Sequence, residues 1–267
     1  MIWNDFWGFG GYARPAEGYM SWQHLTFVTL LVVLMTLLAV LLGRRNRHQS
    51  PEKKNRVLAV SAILIDSIEI AKIVVLSIRY NDAAYFIHVL PLFLCSIQLV
   101  AIPIAAFSKG RLKEAALDFV MIFGLLGALM GTYFAGNNYT AYPVLSMDNV
   151  FSGVTHCISG FCSLYIMLSG MASMEKRNIP FTAAILGGFS VAAYIANIFT
   201  DANYMFLTRG DGTPYDIVYN WVSGHPVLYP LIVVGLFVVY IIAYYQMYYL
   251  ITRRMHNSAK QSKGVAA

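Results

Sequence analysis

Charge is scarce in this sequence. Asp, Glu, Lys and Arg make up 12% of the 267 residues, 58% are hydrophobic, and the mean hydropathy is +0.59. Soluble domains carry about a quarter of their residues as charges, so an ordinary soluble fold is excluded. Cysteine is almost missing as well: Cys95, Cys157 and Cys162 are the whole complement. With no Cys-x-x-Cys pair and no Cys/His grouping, neither a disulfide framework nor a zinc site is expected. Internal repeats, low-complexity tracts and a glycine-rich phosphate loop are also lacking. No cofactor, no metal and no nucleic-acid partner is expected.

What the chain does have is long apolar runs. Stretches near residues 22–43, 57–78, 85–107, 115–134, 150–172, 181–201 and 227–250 are each long enough to cross a hydrocarbon core of about 30 Å as a helix. They are continuously apolar, whereas barrel strands alternate over about 10 residues. The expected fold is therefore an all-α integral membrane protein, a bundle of seven transmembrane helices.

The basic residues set an orientation. Six lie in "RRNRHQSPEKKNR", three in "SKGRLKE", two in "SMEKRNIP" and four in the tail from Arg253, fifteen of nineteen in all. Arg14, Arg79 and Arg209 fall on the other side, and Lys72 within a span. By the positive-inside rule the N-terminus is expected outside and the C-terminus in the cytoplasm, with some attraction to anionic inner-leaflet lipid. The expected organisation is an extracytoplasmic aromatic segment at 1–21, a seven-helix transmembrane domain at 22–250 and a basic cytoplasmic tail at 251–267. The first apolar run has its positive charges after it, not before, and exceeds a signal-peptide core, so it is expected to be retained. The aromatic "MIWNDFWGFGGY" before it suits the outer membrane interface.

Polar side chains inside the spans carry the functional information, because lipid penalises them unless they face a partner or a wet cavity. Asp66, Glu69 and Lys72 follow one another at i+3 in the second span. They read either as an internal ion pair that permits insertion or as a carboxylate aimed into a cavity. In the fifth span Ser152, His156, Ser159 and Ser163 form an i, i+4, i+7, i+11 stripe; small residues of this kind commonly serve packing. Asn197 and Asp201 lie one turn apart at the end of the sixth span, just before "NYMFL". In the third span, "HVLPLFLCSIQLV" places His88, Pro91, Cys95 and Gln98 on one helical stripe, with a kink expected at Pro91 and a hydrated pocket above Cys95. At 1.5 Å per residue, Cys95, His156 and Glu69 lie about 15, 9 and 14 Å below the outer ends of their spans. One shared cavity is consistent with those depths. A lone membrane cysteine is otherwise a small hydrophobe.

"LPLFLC" at 90–95, the histidine near the outer start of the fifth span and "NYMFL" at 203–207 together resemble the YwaF family of bacterial seven-helix membrane proteins. That family is similar, more distantly, to the animal transmembrane protein 164 group of acyltransferases, which move a fatty acyl chain between phospholipids by a Cys/His mechanism. The resemblance implies Cys95 as nucleophile, His156 as general base, phospholipid and lysophospholipid substrates, and a bacterial plasma membrane. Phe93 stands where bacterial relatives often carry His, and "SGHPVLYP" replaces a more tryptophan-rich loop. Beside that pair, Glu69 is a candidate to orient His156, and Gln98 or a freed backbone amide a candidate oxyanion donor. His88, Gln98, Asn197, Asp201, Asn203 and Tyr204 are candidate substrate contacts. Two alternatives stay open: a lipid or ester hydrolase using the same pair, and a transporter with a relay through Asp66, Glu69, Lys72 and His156.

Overall fold

The computed structural model describes residues 2–265. The last two residues of the expected basic tail lie outside the described residues. Among the described residues the chain is helical, without strands, and it divides into two compact units, Met1–Ser173 and Met174–Ala267.

The first unit contains α1 (Ile2–Trp7), α2 (Trp22–Asn46), α3 (Pro51–Tyr80), α4 (Gln98–Phe107), α5 (Gly110–Tyr133), α6 (Gly136–Ala141) and α7 (Met147–Ser169). Local chemistry explains the ends. Ser21, Ser50 and Ser146 cap α2, α3 and α7 by accepting a backbone N–H from three residues on. Pro51 occupies the first position of α3, while Asn81 and Gly170 end α3 and α7 in the left-handed conformation.

At the centre stands α5, whose residues from Ala115 to Gly124 are buried without a break. Helices α4 and α7 lie against it, α2 and α3 pack on α7, and α3 also meets α4. The lipid side is equally plain. Leu30, Leu34, Leu37 and Leu41 of α2 are all more than half exposed at 4-3-4 spacing, an apolar face suited to hydrocarbon. Small residues let the helices approach. A Cβ on Gly160 of α7 would sit 2.4 Å from Met35 Sδ on α2 and 2.6 Å from Ala128 Cβ on α5. Gly160→Val is therefore expected to cost about 1–3 kcal/mol of stability by overpacking, read as earlier unfolding of the purified protein in detergent.

Among the described residues, five helices are long and apolar enough to cross a membrane: α2, α5, α7, α8 and α10. Helix α3 is long too, but Asp66, Glu69 and Lys72 interrupt its apolar stretch. The expected third span at 85–107 is not one kinked helix. It consists of a 3-10 turn at Tyr85–Val89, a break, and the ten-residue α4 from Gln98. The residue before a proline avoids the helical region, and Leu90 is extended at φ −58°, ψ 146°. Ser96 adds to the break: its Oγ accepts from the Phe93 N–H at 3.0 Å and donates to the Phe93 carbonyl at 3.1 Å, in competition with helical bonding. The expected His88–Pro91–Cys95–Gln98 stripe does not survive as one helical face. Cys95 lies in the turn before α4 and Gln98 opens that helix.

The N-terminal aromatic segment packs on the bundle, with the Phe6 and Trp7 rings edge-on to Phe151 at 6.4 and 6.2 Å. The second unit contains α8 (Ile179–Phe199), α9 (Tyr215–Trp221) and α10 (Leu228–Val265), with α10 packed on both α8 and α9.

Candidate functional site

Two glycines on α5 define where the chemistry-bearing side chains meet. Gly127 faces Cys95: a Cβ there would lie 3.4 Å from the Cys95 Cα and Cβ. Gly131, four residues on, faces His156, and a Cβ there would lie 2.2–2.4 Å from Cε1, Nε2 and Nδ1 of the imidazole. The ring lies on bare backbone. Residues four apart share a helical face and stand about 6 Å apart along the axis. Cys95, from the turn before α4, and His156, from α7, are thus seated on consecutive turns of one α5 face.

Both side chains are half-buried. Among the described residues, no other side chain hydrogen-bonds the His156 ring. The backbone N–H groups of Cys95 and Ser96 bond to no backbone carbonyl among the described residues. They belong to a turn that opens a helix, where amides have no carbonyl of their own. Lys72 of α3 acts electrostatically on both Cys95 and His156.

Glu69 pairs with Lys72, its Oε1 2.6 Å from Nζ, both side chains largely buried. Among the described residues its hydrogen-bonding partner is that ammonium, and it is not brought onto His156. Gln98 is completely buried, and neither its Nε2 nor its Oε1 is hydrogen-bonded among the described residues. Buried amides are nearly always satisfied, so this one is conspicuous one turn beyond Cys95. His88 is 64% exposed and sits 3.9 Å from Asp82. Ser159 and Ser163 donate to the Gly124 and Met121 carbonyls of α5 at 3.3 and 2.7 Å, which makes them packing groups. Cys157 is buried in a cluster with Met35 and Ala128.

The remaining candidates lie in the second unit and organise its loop. Asn197 donates to the Tyr204 carbonyl at 3.0 Å and accepts from the Tyr204 N–H at 2.7 Å. Asn203 donates to the Arg209 carbonyl and to Asp211, both at 2.7 Å, and accepts from Thr208. The Asp201 side chain is exposed and its carbonyl accepts from Arg209 at 3.0 Å, while Tyr204 is fully buried. Met205 and Phe206 both have φ of 56°, a left-handed conformation costly for such side chains, and the two asparagines brace it. Asn203→Ala is expected to destabilise the loop by about 1–3 kcal/mol, the cost of stranding its partners, and to speed proteolysis within 200–214.

Sequence reasoning missed three features. The Gly127–Gly131 spacing was visible in "GLLGALMG" but reads as ordinary membrane packing. His24 is buried between Tyr139 and the Thr132 carbonyl, which accepts from Nε2 at 3.1 Å, while Nδ1 accepts from the Met20 N–H. It pins α2 to the end of α5. Arg79 pairs with Asp148, 69 residues away; nothing local in the sequence joins them.

These features define a multi-pass helical membrane protein that seats a cysteine and a histidine side by side on one helix within its first unit. The chain belongs to the TMEM164 family, whose model matches residues 19–248, a range that contains both residues. No curated protein and no solved structure matches the chain.

Proposed function

We propose that this protein is a membrane acyltransferase that moves a fatty acyl chain from a phospholipid to a lysophospholipid or related lipid acceptor through an acyl-Cys95 intermediate. The observation that carries the reading is the seating of Cys95 and His156 on consecutive turns of α5. The family resemblance supplies the chemistry.

In the first half-reaction His156 takes the Cys95 thiol proton and the thiolate attacks the ester carbonyl. The tetrahedral oxyanion then collapses, the ester C–O bond breaks, and the departing lysophospholipid oxygen takes the proton from the imidazolium. The acyl group is left as a thioester. In the second half-reaction His156 takes the proton of an incoming hydroxyl, which attacks the thioester; the thiolate leaves and recovers its proton. Gln98 Nε2 and the backbone amides of Cys95 and Ser96 are the oxyanion donors in this reading. Lys72, held by Glu69, stabilises the negative charge that passes through the site. Glu69 acts on the pair through Lys72, and His88 marks the entrance. Asn197 and Asn203 contribute by shaping their loop. The protein lies in a bacterial plasma membrane, N-terminus outside, within the YwaF branch of the family.

The test follows the label. Purified protein in nanodiscs receives phosphatidylcholine deuterated on its acyl chains and an unlabelled lysophospholipid. Label is expected in a new diacyl phospholipid, and the transfer is expected to vanish in His156→Ala. Label appearing only as free fatty acid, whatever the acceptor, would convert the assignment to a hydrolase. No lipid product, together with Glu69-dependent solute uptake in proteoliposomes, would replace it with transport.

A further inference from the structure

A second polar site lies near the ends of α3 and α7. Arg79, its side chain only 7% exposed, donates from Nη1 to Asp148 at 2.9 Å and from Nη2 to the Trp7 carbonyl at 2.5 Å and the Tyr12 hydroxyl at 3.2 Å. The Tyr12 hydroxyl in turn donates to Asp148, and its ring lies 5.4 Å from the guanidinium. Burial, reinforced by the Asp148 carboxylate, pushes the Tyr12 phenol up to about 12, so it stays protonated. Arg79 Nε, equally buried, has no hydrogen-bond partner among the described residues. A buried N–H left unpaired is costly, and an acceptor entering beside it would relieve that cost.

That cavity exists. Arg79 lines a cleft of about 300 Å³ together with Gly8, Gly10, Tyr12, Tyr80 and Tyr142. The glycines present backbone in place of side chains, and the Tyr80 hydroxyl stands beside both Arg79 and Tyr142. The buried guanidinium and the phenol groups of Tyr80 and Tyr142 therefore border one small space. Asp148 already balances the arginine charge. The site is suited to a single negative charge held by directed hydrogen bonds, which favours a phosphodiester over a doubly charged phosphomonoester.

The register of two helices says how far this cleft is from the chemistry. Arg79 lies seven residues beyond Lys72 on α3, and Asp148 lies eight residues before His156 on α7. Both intervals come to about 10–12 Å, two helical turns. We infer that this cleft is the headgroup site, binding the phosphodiester of a membrane phospholipid so that its glycerol esters extend toward Cys95. This rests on the acyl-transfer reading and adds where the substrate is gripped.

Binding can be read without turnover. In the Cys95→Ala protein, native mass spectrometry from detergent would measure retention of phosphatidylglycerol, phosphatidylcholine and diacylglycerol, with inorganic phosphate as competitor. Both phospholipids are expected to be retained over diacylglycerol. Their retention is expected to fall about tenfold in Arg79→Gln/Asp148→Asn, the loss of one hydrogen bond to a charged partner, and to weaken in Tyr80→Phe/Tyr142→Phe, which keeps the rings. Diacylglycerol retention should not respond to either variant. Equal retention of phospholipid and diacylglycerol, or phospholipid binding untouched in both variants, would overturn the site. Displacement of lipid by equimolar inorganic phosphate would assign the cleft to free phosphate and overturn the lipid assignment. Because no acyl transfer occurs in this background, these results stand apart from the fate of the catalytic proposal.

Discussion

Cys95→Ala is expected to lower acyl transfer by about 10⁴-fold or more, to the level left by substrate binding alone. The side chain sits in a turn against Gly127, and removing its sulfur strands no buried hydrogen-bond partner. Thermal unfolding of the variant should therefore match the parent. Cys157→Ala and Cys162→Ala provide the contrast, since both cysteines are buried on α7, and Cys157 packs against Met35 and Ala128. Each is expected to cost stability, with transfer by the folded fraction kept within a few-fold. The three variants together separate nucleophile from packing group. An account in which Cys95 is only a small hydrophobe predicts the same modest effect from all three.

Gly131→Ala is expected to be nearly as damaging, although Gly131 carries no reacting group of its own. The new methyl group would lie 2.2–2.4 Å from three ring atoms of His156, so the imidazole has to move or the helices have to part. A displacement of about 1 Å in a catalytic group commonly costs about 100-fold in rate, and kcat is expected to carry most of the loss. Gly127→Ala is the matched control. Its Cβ would meet Cys95 at 3.4 Å, an ordinary van der Waals approach, and activity is expected to stay within about a factor of ten. If the two substitutions were equally harmful, the damage would come from general helix packing and not from the seating of His156.

Much of the framework was legible because lipid imposes simple rules. Apolar length marked α2, α5, α7, α8 and α10. The third span misled because hydropathy is blind to backbone conformation. Its apolar residues suit a helix, yet Leu90 before Pro91 and the Ser96–Phe93 bonds hold a break of eight residues between the 3-10 turn and α4. That break frees the amides around Cys95. Glu69 looked like a partner for histidine, but Lys72 lies one turn away and claims it first. Depth arithmetic placed Cys95 and His156 in one half of the membrane; only the packing of α4 and α7 against α5 put them on adjacent turns. The Arg79–Asp148 pair is a product of tertiary structure alone. "NYMFL" carries its reason in the two asparagines that hold Met205 and Phe206 in a left-handed turn, a role invisible until the loop closes.

The central claim is a covalent one, so the most direct measurement looks for the bond. Purified protein incubated with acyl-labelled phospholipid and no acceptor, then quenched in acid and digested, should yield the Cys95 peptide heavier by one acyl group. Hydroxylamine should remove that mass, and His156→Ala should prevent its appearance. An unmodified Cys95 peptide, from protein whose transfer activity survives Cys95→Ala, would contradict the account.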